Sequence, residues 1–467
     1  MTIRVGILSF SDGRARVHDT LKDYIASCEA ALAARLRGTG EVEVVAAQEQ
    51  VATSELAERM ASSLLGEKLD ACILNVPVFA FPSFAAIAAR ILHGVPLLAT
   101  SPANGSYPGL GGLQAAVGMI RQTGGQCEKV WGNIEEDSVL QRVLAFLRAA
   151  HAVSRLRGQV YGLFGGRSIG MGSGAVSPDV WMQRFGVDVD HVDQLEILRR
   201  ARLVPPEETE RALRWLEERM GAVEYDGKKL TRESLGMQVN CYIALKALIA
   251  ERGLSFVGVK CHYDLSEYFV TQCLSAALCN DPYDWDGEKE PVVFACEADS
   301  DAALTMQILK LISGLPVVFM DFRHYMQQEN LFAFCNCGAC ATWYAARSED
   351  PAENLRRVRL CSVIPKYGGC GCHVQFMAEA GPMTFARLTH RMDHYVMQAF
   401  EGTFEKLPVE RMRETCEAWP HGYASVESEP MELLDRFASN HIHAVSGCYL
   451  REIRAFCELT GVELEVL

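Results

Sequence analysis

Short apolar runs and helical patterns alternate along the first third of the chain. The runs that predict strands are Arg4–Phe10, Glu41–Ala47, Asp70–Pro77, Val95–Ala99 and Lys129–Asn133. Strands that alternate with helices are typical of a parallel sheet with helices on its faces. Residues 1–157 are therefore predicted to form a doubly wound α/β domain.

The same alternation begins again at residue 158. Strand and helix patterns follow one another at Val160–Phe164, Glu207–Met220, Thr231–Glu251 and Ser255–Lys260. The glycine-rich segment Gly165–Gly174 follows the first strand but does not itself open a helix. It therefore fits a loop that passes close to a substrate or another backbone better than a dinucleotide cradle. Residues 158–325 are predicted to form a second doubly wound domain.

The pattern changes after residue 326. Apolar runs with turn residues between them lie at Leu331–Cys335, Val358–Ile364, His373–Ala380 and Met383–Leu388. These runs predict an antiparallel, barrel-like sheet, with closing helices near residues 430–439 and 447–459. The predicted fold class is α/β, with two Rossmann-like α/β domains followed by a β-rich C-terminal domain at 326–467.

Residues 291–325 contain two apolar runs, PVVFACE and PVVFMD, on either side of a helical pattern. This arrangement predicts a strand–helix–strand unit with parallel strands, and Ser300 or Asp301 is expected to cap the helix. Glu297 and Asp321 would then end neighbouring strands at the same edge of the sheet. Open α/β sheets bind ligands at that edge.

Two carboxylates at one edge could share a divalent cation or face one substrate. They could equally act as helix caps or solvated groups, and geometry alone favours this simpler interpretation. One histidine of the segment Asn440-His441-Ile442-His443 is a candidate third ligand, although a surface or hydrogen-bonded histidine is the alternative. A set of two oxygens and one nitrogen suits Mn²⁺, Mg²⁺, Co²⁺ or Fe²⁺ better than a structural zinc.

Composition narrows the function classes. The chain has 467 residues and a net charge of -14, without a basic block, which argues against a nucleic-acid partner. No apolar run reaches the roughly 18 residues of a membrane span.

The 17 cysteines and the absence of a signal pattern at the start indicate a reducing cytoplasm. Cysteines in short spacings could bind zinc or an iron–sulfur centre or include a functional thiol, but buried, inert thiols are favoured for Cys335, Cys337, Cys340, Cys370 and Cys372.

Other polar and aromatic residues are candidates for substrate binding. Arg14 lies in the loop after the first strand and could clamp a polar or anionic ligand, although a surface turn is the alternative. Lys260 and His262 leave a predicted strand at its C-terminal end. Trp419 could stack on a sugar face, although core packing is favoured.

Several motifs follow one another in register along nearly the whole chain. They are Asp12-Gly13-Arg14, Gly165–Gly174, Asp284-Trp285-Asp286-Gly287, Glu297 with Asp321, Asn336-x-Gly338, Phe376-x4-Gly381-x4-Ala386-Arg387 and Asn440-His441. Through these motifs the chain resembles the L-fucose isomerase family, in the wider fucose/arabinose isomerase superfamily. The acid pair with the later Asn-His is the specific part of the resemblance.

The resemblance implies an aldose–ketose isomerase that uses a Mn²⁺-type metal held by Glu297, Asp321 and His441. The two acids would move a proton between C1 and C2 of an open-chain sugar through an ene-diol, and Asn440 would contact the sugar. The family fold is two α/β domains and a β-rich domain in a homohexamer. The first domain would cover a neighbour's site, so that Arg14 and Phe79 act in trans.

Departures from the family pattern bear on the substrate. Phe79 stands where the family has a Trp, and Lys260 stands where it has a Gln for sugar hydroxyls. A Lys in this place favours an anionic sugar. With Arg14 and His262 nearby, the chain resembles the sulfoquinovose isomerases related to fucose isomerase.

Three alternatives stay open at this point. The substrate could be a neutral deoxyhexose or pentose such as L-fucose. The reaction could be a metal-dependent decarboxylation or retro-aldol cleavage of an acid sugar. The chain could also be a non-catalytic sugar-binding or thiol-cluster protein.

Overall fold

The computed structural model describes residues 2–338, 340–392 and 394–467 and confirms a mixed α/β protein. The chain divides into two compact units. One ends at Arg155 and includes Arg451–Leu459, and the other contains Leu156–Leu450 and Thr460–Leu467. No helix formed by the described residues is long and apolar enough to cross a membrane. The division into three domains at residues 157 and 325 stays a prediction.

The first unit confirms the predicted strands, with ends shifted by one or two residues. Its strands are β1 (Ile3–Ser9), β2 (Val42–Ala46), β3 (Ala71–Asn75), β4 (Leu97–Ser101) and β5 (Glu128–Trp131). Its helices up to residue 156 are α1 (Ala15–Arg37), α2 (Ser54–Leu65), α3 (Pro82–Ile91), α4 (Gly109–Gln122) and α5 (Asp137–Leu156). The strands form one parallel sheet in the order β2-β1-β3-β4-β5.

Successive residues of these strands enter two separate apolar cores. Ile73 packs in a core with residues of α1 and α5, whereas its neighbours Cys72 and Leu74 pack with residues of α2, α3 and α4. Side chains on a strand alternate between faces, and a parallel sheet is buried on both. Helices therefore cover both faces of this sheet, while the Rossmann-like comparison for the two α/β parts stays a prediction.

The second unit begins with another parallel sheet. The strands up to residue 296 are β6 (Val160–Phe164), β7 (Asp188–Val192), β8 (Ala222–Val223), β9 (Phe256–Val259), β10 (Tyr283–Asp284), β11 (Gly287–Glu288) and β12 (Phe294–Cys296). The helices are α6 (Pro178–Phe185), α7 (Leu195–Ala201), α8 (Pro206–Arg219), α9 (Arg232–Arg252), α10 (Ser266–Tyr268), α11 (Cys273–Asn280) and α12 (Ser300–Ser313). Four of the strands pair in parallel in the order β12-β9-β6-β7.

The remaining part of the second unit is rich in strands. These are β13 (Val318–Met326), β14 (Leu331–Cys335), β15 (Arg359–Ser362), β16 (Cys372–Gln375), β17 (Gly381–Arg391), β18 (His394–Phe404), β19 (His421–Val426), β20 (His441–Ser446) and β21 (Glu463–Val466). The helices in this part of the chain are α13 (Pro351–Leu355), α14 (Pro430–Arg436) and α15 (Leu450–Thr460), and Arg451–Leu459 of α15 belong to the first unit.

Most of these strands form one large mixed sheet. The antiparallel neighbours run β17-β20-β13-β14-β19-β18, and β17 also pairs with β18, so that six strands close into a ring. Strand β21 adds to β18 in parallel. The sheet therefore has the barrel-like closure expected from the sequence, although β18, β19, β20 and β21 were not among the predicted strands.

The parallel strand pair predicted within residues 291–325 is wrong. Strand β12 belongs to the four-stranded parallel sheet, whereas β13 pairs antiparallel with β14 and β20 in the large sheet. Helix α12 packs against strands of both sheets, so the chain leaves the first sheet through this helix and enters the second. The cap is also different from the predicted one, because Asp299 accepts the hydrogen bond from the Ala302 amide.

Candidate active site

Glu297 follows the last residue of β12 and has an unusual backbone conformation. Glu297 and Ala298 both have positive φ angles, 59° and 52°. Non-glycine residues avoid this left-handed region, and each such residue costs about 1–3 kcal/mol. Two in succession indicate that the surrounding structure imposes this bend, which leaves the Glu297 side chain in the cavity described below.

Asp321 and His441 meet across two strands of the large sheet. The antiparallel register of β13 and β20 places Asp321 directly opposite His441. The Nε2 atom of His441 lies 3.4 Å from Oδ1 of Asp321 and 3.7 Å from Oε2 of Glu297. The structure therefore brings together all three residues of the predicted ligand set. Asp321 and His441 meet because β13 pairs with β20 in the large sheet. They do not meet Glu297 at a shared edge of one parallel sheet, as the sequence indicated.

A buried carboxylate fixes the orientation of the His441 ring. The Nδ1–H of His441 donates to Oδ2 of Asp299 over 2.7 Å, which leaves Nε2 facing Glu297 and Asp321. Asp299 also pairs with Arg387 at 3.0 Å, and neither side chain is exposed to solvent. Burial by itself favours the protonated acid, but Arg387 and His441 outweigh it and hold the pKa of Asp299 well below its usual range. Asp299 is thus a permanent anion beneath the site.

The pKa values of Glu297 and Asp321, the two acids near Nε2 of His441, are raised, whereas that of Asp299 is lowered. Burial, with smaller contributions from nearby acidic groups, raises the pKa of Glu297 to about 7, although His441 opposes the change. Burial also raises the pKa of Asp321. Two clustered carboxylates with raised pKa values are stabilised by any cation placed between them. Glu297 can also hold or release a proton near neutral pH.

Two amides hold the Asp321 carboxylate from both sides. Asn336 donates to Oδ2 and Asn440 donates to Oδ1, each over 3.2 Å. Asn440 therefore contacts one of the candidate catalytic acids, and its predicted role as a sugar contact is not tested by this placement.

Glu297, Asp321 and Asn336 line a cavity of about 170 Å³. It is lined by His262, Glu297, Asp321, Phe322, Arg323, Asn336, Cys337, Lys366, Tyr367 and Trp419. Three consecutive residues of β13 line it, although side chains of a regular strand alternate between faces. The register with β14 shifts between Phe322 and His324, and such a bulge redirects a side chain. A larger cavity of about 430 Å³ in the same unit is lined by apolar residues such as Phe376 and Met412 and by charged residues such as Arg357, and it lacks the acid pair.

The chemistry of the donor set fits a divalent cation. Two carboxylates and an imidazole nitrogen with a fixed tautomer are ligands of Mn²⁺-type ions, and a carboxylate behind the histidine is a common supporting contact. In the part of the chain that the structure describes, no group of three or more His, Cys, Asp or Glu side chains is already arranged to hold a metal. Glu297, Asp321 and His441 would therefore have to draw closer around an ion.

The cysteines considered from the sequence do not provide a metal cluster either. Within the described residues, Cys335, Cys340 and Cys372 are buried, and the Cys340 thiol donates to the Phe319 carbonyl. Cys337 differs from them because it is only partly buried and lines the cavity.

The predicted substrate-binding residues fall into three groups. His262 and Trp419 line the cavity, and Trp419 is 8% exposed. Lys260 is outside the lining, and its Nζ lies 2.7 Å from Oδ2 of Asp264. Arg14 and Phe79 belong to the first unit, where Arg14 pairs with Asp12 at 2.7 Å and Phe79 is 46% exposed. Their roles stay predictions.

Three residues that the sequence did not single out are important here. Asp299 could have been noticed because it precedes a predicted helix two residues after Glu297, in the usual position of a cap. Arg323 and Lys366 carry no such signal. A strand bulge places Arg323, and Lys366 lies in the irregular segment between β15 and β16.

Two family models match this chain. The model of the first N-terminal domain of L-fucose isomerase matches residues 2–158, and the model of the L-fucose isomerase C-terminal domain matches residues 334–467. Together they span more than half of the chain and include its first unit and most of the large sheet.

Curated relatives are similar at low identity. Sulfoquinovose isomerase of Alkalicoccus urumqiensis is 27% identical over 342 residues, which is 72% of each chain. L-fucose isomerase of Klebsiella pneumoniae is 28% identical over 349 residues, covering 60% of this chain and 59% of the relative. L-fucose isomerase of Streptococcus pneumoniae is 29% identical over 222 residues, and there the match spans only 37% of the relative's length.

Proposed function

The chain belongs to the L-fucose isomerase family, and from this premise we propose that it is a metal-dependent aldose–ketose isomerase acting on an open-chain sugar. The observation that carries the proposal is the convergence of Glu297 and Asp321, which line one cavity, around Nε2 of His441. Isomerisation moves one proton between C1 and C2 and needs a group that both accepts and returns it. Two acids on one face of a cavity meet this requirement.

Glu297 is the better candidate for the proton carrier. Its pKa of about 7 means that both its charged and its neutral form are populated at neutral pH. A carboxylate in this state can remove the proton next to the carbonyl and return it to the adjacent carbon of the ene-diol. Asp321 would exchange the proton of the sugar hydroxyl, since Asn336 and Asn440 hold both of its oxygens in place.

A divalent cation is part of this proposal. Glu297, Asp321 and His441 would hold Mn²⁺, or else Co²⁺, Mg²⁺ or Fe²⁺. When bound, such an ion supplies a Lewis acid that polarises the sugar carbonyl. Asp299 would keep His441 in the tautomer that offers Nε2, and Arg387 would keep Asp299 charged.

The substrate is proposed to be an anionic hexose such as sulfoquinovose. Arg323 and Lys366 line the cavity, and neither forms an ion pair with another described residue. The Arg323 guanidinium lies 5.6 Å from the Trp419 ring centre, and the Lys366 ammonium lies 5.5 Å from the Tyr367 ring centre. Two cations without an ion pair to a described residue, in a cavity that two acids also line, suit a sugar with an anionic group. Lys260, the cation that the sequence indicated, is paired with Asp264.

The assembly is proposed to be a homohexamer in the cytoplasm, as the family resemblance implies. Arg14 pairs with Asp12, with most of its side chain exposed, and Phe79 presents an aromatic ring to solvent in the same unit. Both could therefore contribute to the site of a neighbouring subunit. The many cysteines of the chain fit a reducing compartment.

The test uses purified protein, first treated with a chelator and then supplied with Mn²⁺. Ketose formation is measured on a set of aldoses that includes sulfoquinovose, its neutral 6-hydroxy counterpart and L-fucose. Turnover should require the metal, favour the sulfonated sugar and conserve the mass of the substrate. A product of lower mass would instead indicate decarboxylation or retro-aldol cleavage.

Glu297→Gln tests the assignment of the proton carrier. It should lose turnover, because an amide cannot accept the proton. Glu290→Gln is the matched control, since Glu290 is exposed, does not line the cavity and pairs with Lys310. Turnover that persists in Glu297→Gln, or that is indifferent to chelator, would contradict the proposal.

A further inference from the structure

A group of thiols lies directly behind the candidate active site. Cys337 lines the site cavity and also a second cavity of about 10 Å³, which has room for about one water molecule. Cys261, Cys273 and Cys296 line the second cavity and are buried, whereas Cys337 is only partly buried. A reagent small enough to enter the site therefore meets Cys337 first, with the other thiols behind it.

The contacts among these thiols are close. The sulfur of Cys296 lies 3.7 Å from that of Cys337. Gly338 allows the approach to Cys273, because a Cβ at its φ of 115° would lie 2.8 Å from the Cys273 Cβ. Hydrogen bonds from Cys273 and Cys296 lower the pKa of Cys337, whereas burial raises the pKa of Cys261. The thiolate, which is the reactive form, is thus favoured at the one sulfur that faces the cavity.

We propose that Cys337 is a site of oxidation by small hydroperoxides and that Cys296 resolves the product as an intrachain disulfide. The Cys337 thiolate attacks the terminal peroxide oxygen and the O–O bond breaks. The other oxygen leaves and takes up the proton that the thiol had released, which gives water from hydrogen peroxide or an alcohol from an organic hydroperoxide. The sulfenic acid on Cys337 is then attacked by the Cys296 sulfur, the S–O bond breaks, and a second water leaves with the Cys296 proton. One peroxide is reduced and two thiols are oxidised by two electrons.

This disulfide would act directly on the candidate catalytic acid. Cys296 immediately precedes Glu297, and the backbone at Glu297 and Ala298 is held in the left-handed region. Drawing the Cys296 sulfur onto Cys337 therefore moves the Glu297 carboxylate. A misplacement of about 1 Å can cost on the order of 100-fold in rate. The loss of activity rests on the proposed function, whereas formation of the disulfide does not.

The experiment treats the full-length protein, with and without Mn²⁺, with hydrogen peroxide. The remaining thiols are alkylated, and digested peptides are identified by mass. A Cys296–Cys337 linked peptide should form first, disappear with dithiothreitol, and rise and fall in step with loss and recovery of isomerase activity. If the linked peptide forms but the protein isomerises no sugar, the thiol proposal is supported and the proposed function is contradicted.

Three variants sharpen the test. Cys296→Ser should stop at the sulfenic acid, trapped on Cys337 by dimedone, and Cys337→Ser should protect Cys296. Cys448→Ser removes an exposed cysteine and should leave the linked peptide unchanged. The peptide map of the wild-type protein tests the proposal even if a variant fails to fold. The proposal is overturned if both thiols of the wild-type protein are still alkylated at peroxide levels that oxidise Cys448, or if Cys337 links to Cys273 instead.

Discussion

His441 donates its Nδ1–H to Asp299 over 2.7 Å, and this contact decides which ring nitrogen faces the two acids of the site. Asp299 also begins α12 and pairs with Arg387. One carboxylate thus joins a helix start, a buried cation and the histidine of the proposed metal site. The stability of the fold and the chemistry of the site are coupled through Asp299.

Replacing Asp299 with Asn should weaken the site strongly. The Asn amide can present its NH₂ group to Nδ1 of His441, so the side chain at position 299 no longer fixes the tautomer of His441. Mn²⁺ affinity or kcat/KM should therefore fall about 10- to 100-fold. Titration of Mn²⁺ and steady-state kinetics measure the two effects.

Asp301→Asn is the matched control for this change. Asp301 lies two residues further along and pairs with a different histidine, His390, at 2.8 Å. It should leave Mn²⁺ affinity unchanged. Equal losses of affinity in both variants would show that the effect is general and not a property of the His441 contact.

Arg387→Met should destabilise the fold by about 3–5 kcal/mol, because it leaves Asp299 as a buried and uncompensated charge. Arg391→Met, four residues along the same strand, removes a partly exposed pair with Glu465 and should cost about 0–1 kcal/mol. Urea unfolding followed by circular dichroism compares the two free energies of unfolding. A loss below about 1 kcal/mol in Arg387→Met would contradict the importance of the buried pair.

The stability of the metal-free protein should fall as the pH rises through the site's titration. The pKa of Glu297 is raised from 4.5 to about 7 in the folded protein, so the folded state binds more protons than the unfolded state between these values. The contribution is therefore complete below pH 4.5 and is lost as the pH rises through 7. Asp321 acts in the same direction.

Unfolding of the metal-free protein, measured in chelator across this pH range, tests whether the free energy of unfolding falls as the pH rises. The difference in stability between wild type and Glu297→Gln should shrink or reverse toward neutral pH. Mn²⁺ should stabilise the wild type more at pH 7 than at pH 5, because protons compete with the ion. A wild-type curve parallel to that of Glu297→Gln would contradict the raised pKa.

Arg323→Gln and Lys366→Gln should each raise KM for a sulfonated sugar about 10- to 100-fold, because a hydrogen bond to a charged group contributes about 1.5–3 kcal/mol. A neutral sugar should be affected much less. Lys260→Gln is the comparison, since this Lys is already paired with Asp264. If Lys260→Gln alone changes the preference for the sulfonated sugar, the sequence-based assignment is the correct one.

Mixed assemblies test whether Arg14 acts in trans. Arg14→Gln and Glu297→Gln subunits should each be inactive alone if both residues belong to the site. Co-expressed subunits should regain part of the activity, because some sites then combine an intact Arg14 from one subunit with an intact Glu297 from another. No recovery in assemblies of confirmed mixed composition would contradict a shared site.

Local patterns in the sequence were sufficient to predict much of the fold. The strands of the first unit and Val160–Phe164, Leu331–Cys335 and several helices lie within a few residues of the predicted positions. Each depends on side-chain period and on turn residues close in sequence. The family resemblance added Glu297, Asp321 and His441, and the structure places them together.

Tertiary structure decided how that site is built. The sequence placed Asp321 beside Glu297 in one parallel sheet, yet Asp321 lies in the large sheet opposite His441, which is 120 residues further along. Pairing between strands so far apart depends on which edges the whole chain leaves available, and a local pattern carries no information about that.

The same reason applies to the cavity's other residues. A bulge in β13 redirects Arg323, and Asp264 takes up the charge of Lys260. Cys296 and Cys337 come within 3.7 Å although 41 residues separate them. The sequence by itself determined which elements form and which acids are available. Only the folded chain determined which cations remain unpaired and which thiols meet, because both depend on neighbours brought together by long-range packing.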